Sequence, residues 1–136
     1  MKNKLPYWLP GLLVLIAAAC IFCFSTGAFS AAVTEQVFGS YNFVARKLAH
    51  VSEYAILFLL SRSALSYLLP RRNPALVSVL AIVLACGYAA TDEWHQTFVP
   101  GRTGSVHDMC IDWFGVLLGF GLYQAFQQIQ ERRQAL

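Results

Sequence analysis

The sequence predicts an all-α membrane protein with four transmembrane helices, both termini in the cytoplasm and a polar cluster at the outer surface. Of its 136 residues 57% are hydrophobic and 12% are charged, whereas about a quarter of a typical soluble domain is charged. Four apolar segments are long enough to cross a bilayer, and the polar residues lie between them. This pattern excludes a disordered chain, a basic nucleic-acid binder and a secreted disulfide scaffold. We expect a single domain over residues 1–136, with its four cysteines free and buried.

The four predicted spans follow one another closely along the chain. They cover residues 8–24, 48–69, 75–91 and 109–126, each near the 20 or so apolar residues that a spanning helix needs. Pro70 and Pro74 separate the second span from the third, because two prolines exclude a continuous helix. Residues 25–40 are predicted to be an outer loop, or a short helix at the interface, and residues 127–136 a polar tail. The first span could alternatively be a secretory signal, and this would leave the other spans in place.

The basic residues predict the orientation of these helices. Cytoplasmic loops carry an excess of lysine and arginine. If both termini are cytoplasmic, that side carries Lys2, Lys4, Arg71, Arg72, Arg132 and Arg133, and the opposite side carries Arg46, Lys47 and Arg102. Arg62 lies in the inner half of the second span and is expected to extend its charged end towards the interface. The prediction is therefore a multi-pass protein with the polar cluster facing outward.

The polar cluster is built from three blocks of sequence that the predicted topology brings to one membrane surface. Residues three or four apart share a helix face, so each block presents a polar stripe. Glu53 is the hardest to explain as a simple helix end, because facing lipid there would cost about 3 kcal/mol. It should therefore point inward to a partner. The blocks contain Arg46, Lys47, His50, Glu53 and Tyr54; Asp92, Glu93 and Gln96; and Arg102, Ser105, His107, Asp108 and Asp112.

The charges of this cluster do not balance. Arg46, Lys47 and Arg102 are positive, while Glu53, Asp92, Glu93, Asp108 and Asp112 are negative. The excess of negative charge requires a protonated His50, a protonated carboxylate or a bound cation. A divalent ion held by His50 and Glu53 together with Asp92, Glu93 and Asp108 is one option. Ion pairing among the same side chains is the other.

Several residues near the cluster have structural explanations. Ser105 and Asp108 have the spacing of a helix capping box. Gly115 and Gly119 allow two helices to approach closely, either within the chain or in a dimer. Arg46, His95 and His107 fit the interpretation that helix ends meeting water are simply polar.

The order of the motifs resembles the VanZ-like family of small bacterial membrane proteins. The resemblance covers Lys47-x-x-His50-x-x-Glu53-Tyr54, Asp92-Glu93-x-x-Gln96-x-Phe98-x-Pro100-Gly101-Arg102, then Asp108, Gly115 and Gly119. Phe24-Ser25-Thr26 also looks like the first segment of the family, whereas Asp112 stands where an amide is expected. The resemblance implies a place in the bacterial cell membrane and a connection with the cell envelope and with resistance to the glycopeptide teicoplanin. It implies no particular reaction.

These residues lead to a hypothesis about function. We expect the cluster to bind an anionic envelope lipid or lipid-linked intermediate at the outer leaflet, and to be able to modify it. The expected catalytic residues are His50 as proton carrier, Glu53 as its orienter, Asp92 and Glu93. The expected ligand-binding residues are Lys47, Gln96, Arg102 and Asp108, with Lys47 and Arg102 holding a phosphate.

Whether the protein is an enzyme stays open at this point, because the sequence offers no obvious activated nucleophile. A non-catalytic interaction protein with a structural polar cluster is the main alternative. An ion-coupled carrier is another, although the cluster is shallow and no internal repeat is visible. The expected partner is a lipid and not a nucleic acid. The sequence does not determine the cofactor, the metal or the oligomeric state.

Overall fold

The computed structural model describes residues 6–26, 31–102 and 104–135, and within these ranges all regular secondary structure is helical. A short 3₁₀ helix, Gly39–Tyr41, precedes the third α-helix. The α-helices are α1 (Leu9–Ser25), α2 (Ala31–Phe38), α3 (Asn42–Leu68), α4 (Pro74–Gln96) and α5 (Val106–Gln134). The all-α prediction is confirmed for these parts of the chain.

Helix α3 is the centre of the bundle, because α1, α2, α4 and α5 all pack against it. Aromatic and aliphatic side chains of α3 fill the core, with Tyr54 and Phe58 fully buried. Small residues recur every four positions on the facing side of α4, so that this helix can approach closely. The core consists of Ile21, Tyr54, Leu57, Phe58, Ala81, Ala85, Ala89 and Val116.

Two glycines set the distance between α3 and α5. A Cβ atom on Gly115 would lie 2.5 Å from the carbonyl oxygen of Val51, and one on Gly119 would lie 2.7 Å from that of Ala55. No side chain fits at such distances. The predicted close helix contact is confirmed, and it lies within one chain.

The helix boundaries correct several sequence predictions. Helix α3 begins at Asn42, before the predicted residue 48. Helix α4 continues beyond residue 91 to Gln96. Helix α5 runs to Gln134, so most of the predicted polar tail is helical. Helix α2 lies within the predicted outer loop 25–40, as the alternative of a short helix allowed.

Local capping explains where two of these helices begin. The Asn73 side chain accepts a hydrogen bond from the backbone N–H of Ala75 at 2.8 Å, and Pro74 occupies the first helical position. Ser105 caps α5 by accepting from the N–H of Asp108 at 3.0 Å. The cysteines are free as predicted, but Cys20, Cys23 and Cys110 are exposed and not buried.

The surface of the bundle is that of a membrane protein. Helices α4 and α5 are long and apolar enough to span a bilayer, yet only 28% and 22% of their most apolar windows are buried inside the protein. A core helix of a soluble protein would be mostly buried, whereas here apolar side chains such as Val83, Phe114 and Leu117 face outward. Helix α1 is apolar but shorter, at 17 residues. The described residues thus contain two candidate spans, while four spans and their orientation remain a prediction.

Two predictions about basic residues have different outcomes. Lys2 and Lys4, which contribute to the predicted orientation, lie outside the described residues. Arg62, expected to extend towards the interface, donates from Nε to Ser78 Oγ, near the start of α4, at 3.1 Å. Its guanidinium carbon lies 3.5 Å from the centroid of the Tyr123 ring. The guanidinium group of Arg62 is therefore bound by side chains of α4 and α5.

Candidate functional site

The alternating directions of the long helices bring the predicted polar blocks to one end of the bundle. Helices α1 and α4 end there, and α3 and α5 begin there. The loop between α4 and α5 closes this end, and α2 packs beside α3. We call this region the polar end.

The last turn of α4 buries three polar side chains. Asp92, Glu93 and Gln96 are each 5% exposed or less. Asp92 Oδ2 accepts from Ser25 Oγ at 2.7 Å and from Gln96 Nε2 at 3.0 Å. These contacts attach the end of α1 to the end of α4, so Asp92 and Gln96 have a clear structural role.

The loop between α4 and α5 is held by Glu93 and by the cap of α5. The predicted Ser105 cap is present, but the second half of the capping box comes from elsewhere: the N–H of Ser105 donates to Glu93 Oε2 at 2.9 Å. A Cβ atom on Gly104 would lie 2.2 Å from the carbonyl oxygen of Glu93, so the loop lies directly on α4. Asp108 is left free to form an ion pair with Lys47.

His50 contacts a carboxylate other than the one predicted. Its Nδ1 lies 3.0 Å from Asp112 Oδ1, and Asp112 is 0% exposed. The second oxygen, Oδ2, is buried and has no hydrogen-bond partner among the described residues. The sequence analysis instead gave Glu53 the role of orienting His50. Asp112, the position that departs from the expected pattern, is therefore the direct partner of the histidine.

Three of these side chains could hold a metal ion. One ligand atom each from His50, Glu93 and Asp112 lies within 4.8 Å of the other two. They come from three different helices, α3, α4 and α5. Glu93 Oε1, like Asp112 Oδ2, is buried and lacks a partner in the described part of the chain.

A cavity of about 330 Å³ opens beside His50. Arg46 and Arg102 both line it, and each has a buried guanidinium nitrogen, Nη1 and Nε respectively, without a hydrogen-bond partner in the ranges described. Arg102 also donates to the backbone oxygen of Phe24. Burial and the neighbouring charge of Arg46 lower the pKa of Arg102 below its usual value. The lining residues are Phe24, Ser25, Thr34, Phe38, Ala45, Arg46, Ala49, His50, Glu53 and Arg102.

The predicted site residues thus separate into two groups. His50, Glu53 and Arg102 line the cavity, whereas the other five contact one another or the loop and do not line it: Lys47, Asp92, Glu93, Gln96 and Asp108.

The cavity also contains residues that the sequence analysis did not select. Arg46 was interpreted as an ordinary polar helix end, and Ser25 was placed in an outer loop. The resemblance of Phe24-Ser25-Thr26 to a family segment was the signal for Ser25. No local pattern distinguishes Arg46 from Lys47.

Comparison with known proteins identifies the family. The VanZ/LLP1 family model matches residues 11–127, a range that includes every residue of the polar end discussed above. No curated protein and no solved structure is significantly similar to the chain. Because the match extends over most of the sequence, it confirms the resemblance seen in the motifs. The chain belongs to the VanZ/LLP1 family of membrane proteins.

Proposed function

We propose that this protein binds an anionic membrane lipid, or a lipid-linked envelope intermediate, in the cavity beside His50. Membership of the VanZ family suggests a membrane protein linked to resistance. The finer proposal is a multi-pass protein of the bacterial cell membrane with four spans, both termini in the cytoplasm and the cavity open to the outer leaflet. A contribution to glycopeptide resistance would then act through the envelope lipid that is bound.

The observation that carries the proposal is the pair of arginines in a cavity whose other walls are largely apolar. Arg46 and Arg102 each retain a buried nitrogen without a partner. Leaving such donors unpaired costs about 1 to 3 kcal/mol each, more when the group is charged. A phosphate group would accept from both and neutralise two like charges, and arginine is well suited to this because of its planar fork.

The walls of the cavity fit the rest of an amphiphile. Phe24, Phe38, Ala45 and Ala49 provide apolar surface on either side of the arginines. A volume of about 330 Å³ is at the lower end of the range for ligand pockets. It accommodates a head group and the first part of a chain, while the remaining chain would stay in the bilayer.

Acid–base chemistry on the bound head group is the further possibility. His50 and Glu53 line the same cavity as the arginines, so either could carry a proton to or from a ligand held there. The hydroxyl of Ser25 also lines the cavity, but it donates to Asp92. The arrangement supports binding more directly than it supports turnover.

The alternative is an interaction protein whose polar cluster is purely structural. The contacts of Asp92 and the Lys47–Asp108 pair favour it, since they connect helices to one another. It does not account for two neighbouring arginines with unpaired buried donors. Those donors are what a bound anion would satisfy.

Lipid binding by the purified full-length protein tests the proposal. Native mass spectrometry would compare retention of phosphatidylglycerol, a polyprenyl phosphate and phosphatidylcholine. We expect the wild type to retain an anionic lipid in preference to phosphatidylcholine. Arg46→Gln and Arg102→Gln should each weaken that retention at least about tenfold, the equivalent of one charged hydrogen bond.

Arg71→Gln is the matched control, because it removes the same charge from the exposed loop between α3 and α4. Circular dichroism would establish that all variants are folded. Equal retention of anionic and zwitterionic lipids, or an equal loss in the control, would contradict the proposal. Conversion of the retained lipid by the wild type, but not by His50→Gln, would identify an enzyme.

A further inference from the structure

We propose that His50, Glu93 and Asp112 form a binding site for a divalent transition-metal ion such as Zn²⁺ or Mn²⁺. The proposal goes beyond the proposed function and does not depend on it, since metal binding can be measured without any lipid. His50 belongs both to this group and to the cavity wall. An ion held there would therefore lie next to the cavity.

The first argument is the convergence of donors. One nitrogen or oxygen ligand from each of the three residues lies within 4.8 Å of the other two. Two ligands about 2.1 Å from one ion lie at most about 4.2 Å apart, so small side-chain rotations suffice to close the group. The three residues lie on α3, α4 and α5, and Gly115 and Gly119 hold α5 closely against α3.

The second argument does not depend on how close the three residues lie to one another. It concerns buried carboxylate oxygens that lack a hydrogen-bond partner. Asp112 is completely buried and Glu93 is 5% exposed, yet Asp112 Oδ2 and Glu93 Oε1 have no hydrogen-bond partner within the described ranges. The other oxygen of each is occupied, by His50 and by the N–H of Ser105. Buried polar atoms are ordinarily satisfied, so these two oxygens indicate a missing partner. That partner must be electropositive, because both atoms belong to carboxylates.

The third argument is charge. Two buried carboxylates close to one histidine carry more negative charge than a protonated imidazole can neutralise. Lys47 is engaged by Asp108, and among the described residues no lysine or arginine forms an ion pair with Glu93 or Asp112. A divalent ion balances the two carboxylates and leaves His50 neutral, which is the form that binds metals.

The donor set selects the class of ion. One imidazole and two carboxylates suit Zn²⁺ and Mn²⁺ better than Ca²⁺ or Mg²⁺, which prefer oxygen ligands alone. The sequence analysis considered a metal bound by His50 and Glu53 with Asp92, Glu93 and Asp108. In the structure Glu53, Asp92 and Asp108 do not belong to the group of converging ligand atoms, and Asp112 completes it.

The test is a metal titration of the full-length protein in zwitterionic detergent, free of lipid and phosphate. After treatment with a chelator, Zn²⁺ and Mn²⁺ would be added separately and followed by isothermal titration calorimetry. We expect one ion per chain for at least one of the two metals. Asp112→Asn and His50→Gln should each weaken binding at least about tenfold, as loss of a coordinating or orienting group does.

The matched controls each remove one imidazole or one carboxylate at a position outside the proposed metal site. His107→Gln alters an exposed histidine outside the group, and Glu35→Gln alters an exposed carboxylate on α2. Both should bind metal like the wild type. No saturable binding by the wild type, or equal binding by wild type, Asp112→Asn and His50→Gln, would overturn the proposal.

A second measurement, on the wild type and His50→Gln, covers the case in which the buried Asp112 variant does not fold. Pulsed electron paramagnetic resonance of bound Mn²⁺ should show coupling to a single imidazole nitrogen, and His50→Gln should abolish it. If the wild type binds Mn²⁺ in the titration, absence of this coupling would also refute the assignment. Because no lipid is present, failure here leaves the result of the lipid-retention experiment unaffected.

Discussion

The two sides of α3 near the polar end differ in how completely their polar groups are paired. On the side that faces α5, Lys47 pairs with Asp108, and Val51 and Ala55 contact glycines without any gap. On the side that faces the cavity, Arg46 of α3 and Arg102 of the loop between α4 and α5 keep unpaired donors. One helix thus carries a closed interface and an open one.

The comparison separates charges that hold the fold from charges available to a ligand. A partly buried ion pair such as Lys47 with Asp108 satisfies itself and needs nothing further. A buried arginine without a partner lowers the stability of the protein until an anion binds to it. His50 lies at the boundary, since it contacts Asp112 from α5 and also lines the cavity. The predictions below test this division, beginning with the largest expected effect.

A methyl group placed in the contact between α3 and α5 should reduce the stability of the protein more than the other changes below. In Gly115→Ala the new methyl group would lie 2.5 Å from the backbone oxygen of Val51, so the two helices must separate. Such overpacking typically lowers the free energy of unfolding by about 3 kcal/mol or somewhat less. Thermal unfolding in detergent, followed by circular dichroism, measures it.

Gly121→Ala is the control, because a Cβ atom there meets nothing within 4 Å. It should leave stability unchanged or raise it slightly, since alanine favours helix over glycine. If both variants lose the same stability, the α3–α5 contact is not the tight interface described here.

Displacing the loop between α4 and α5 from the surface of α4 should cause the next largest loss of stability. In Gly104→Ala the methyl group would lie 2.2 Å from the carbonyl oxygen of Glu93. The loop must shift and the hydrogen bond from Ser105 to Glu93 is lost, which should cost about 2 kcal/mol of unfolding free energy. Hydrogen exchange should become faster at the Ser105 amide.

Gly87→Ala, in the open middle of α4, serves as the comparison for this loop variant. It should preserve both the stability and the protection of the Ser105 amide. Unaltered protection of that amide in Gly104→Ala would show that the loop is not held by the Glu93 contact.

Removing the charge of Lys47 should have a moderate effect on stability. In Lys47→Gln the carboxylate of Asp108 loses its ion-pair partner, and both side chains are about a quarter exposed. We expect a loss of about 1 kcal/mol in unfolding free energy, near the upper end for exposed pairs. A double-mutant cycle with Asp108→Asn isolates the coupling, and additive effects of the two changes would contradict the pairing.

Replacing Arg46 with glutamine, by contrast, should leave the free energy of unfolding nearly unchanged. Arg46→Gln removes a like charge from the neighbourhood of Arg102 and breaks no hydrogen bond among the described residues. Unfolding free energy should change by no more than about 0.5 kcal/mol. A loss as large as that of Lys47→Gln would show that Arg46 holds the fold together and would weaken the case for a ligand.

Much of the architecture was predictable because it depends on local sequence. The apolar segments, the prolines at 70 and 74 and the cap at Ser105 locate helices from neighbouring residues alone. Gly115 and Gly119 predict a close helix contact, and the structure confirms it within the chain. The boundaries were less accurate, since α3 and α5 continue as helices through polar residues that the apolar pattern excluded.

The site was predictable as a region and not as a set of contacts. The polar end contains all eight predicted site residues, yet His50 contacts Asp112 and not Glu53 as its carboxylate partner. Arg46, interpreted as an ordinary helix end, lines the cavity, while Lys47, expected to hold a phosphate, forms an ion pair. The sequence gives no local reason to choose between these neighbours.

The sequence by itself determined the helical class, the apolar outer surface and the concentration of charge at one end, because composition and periodicity act over a few residues. The tertiary structure alone decided which charges pair and which remain available. Consecutive residues on a helix point about 100° apart. The rotation of α3 about its axis therefore decides which of Arg46 and Lys47 faces the cavity and which faces α5. That rotation is fixed by the contacts of Val51 and Ala55 with Gly115 and Gly119, more than 60 residues away along the chain.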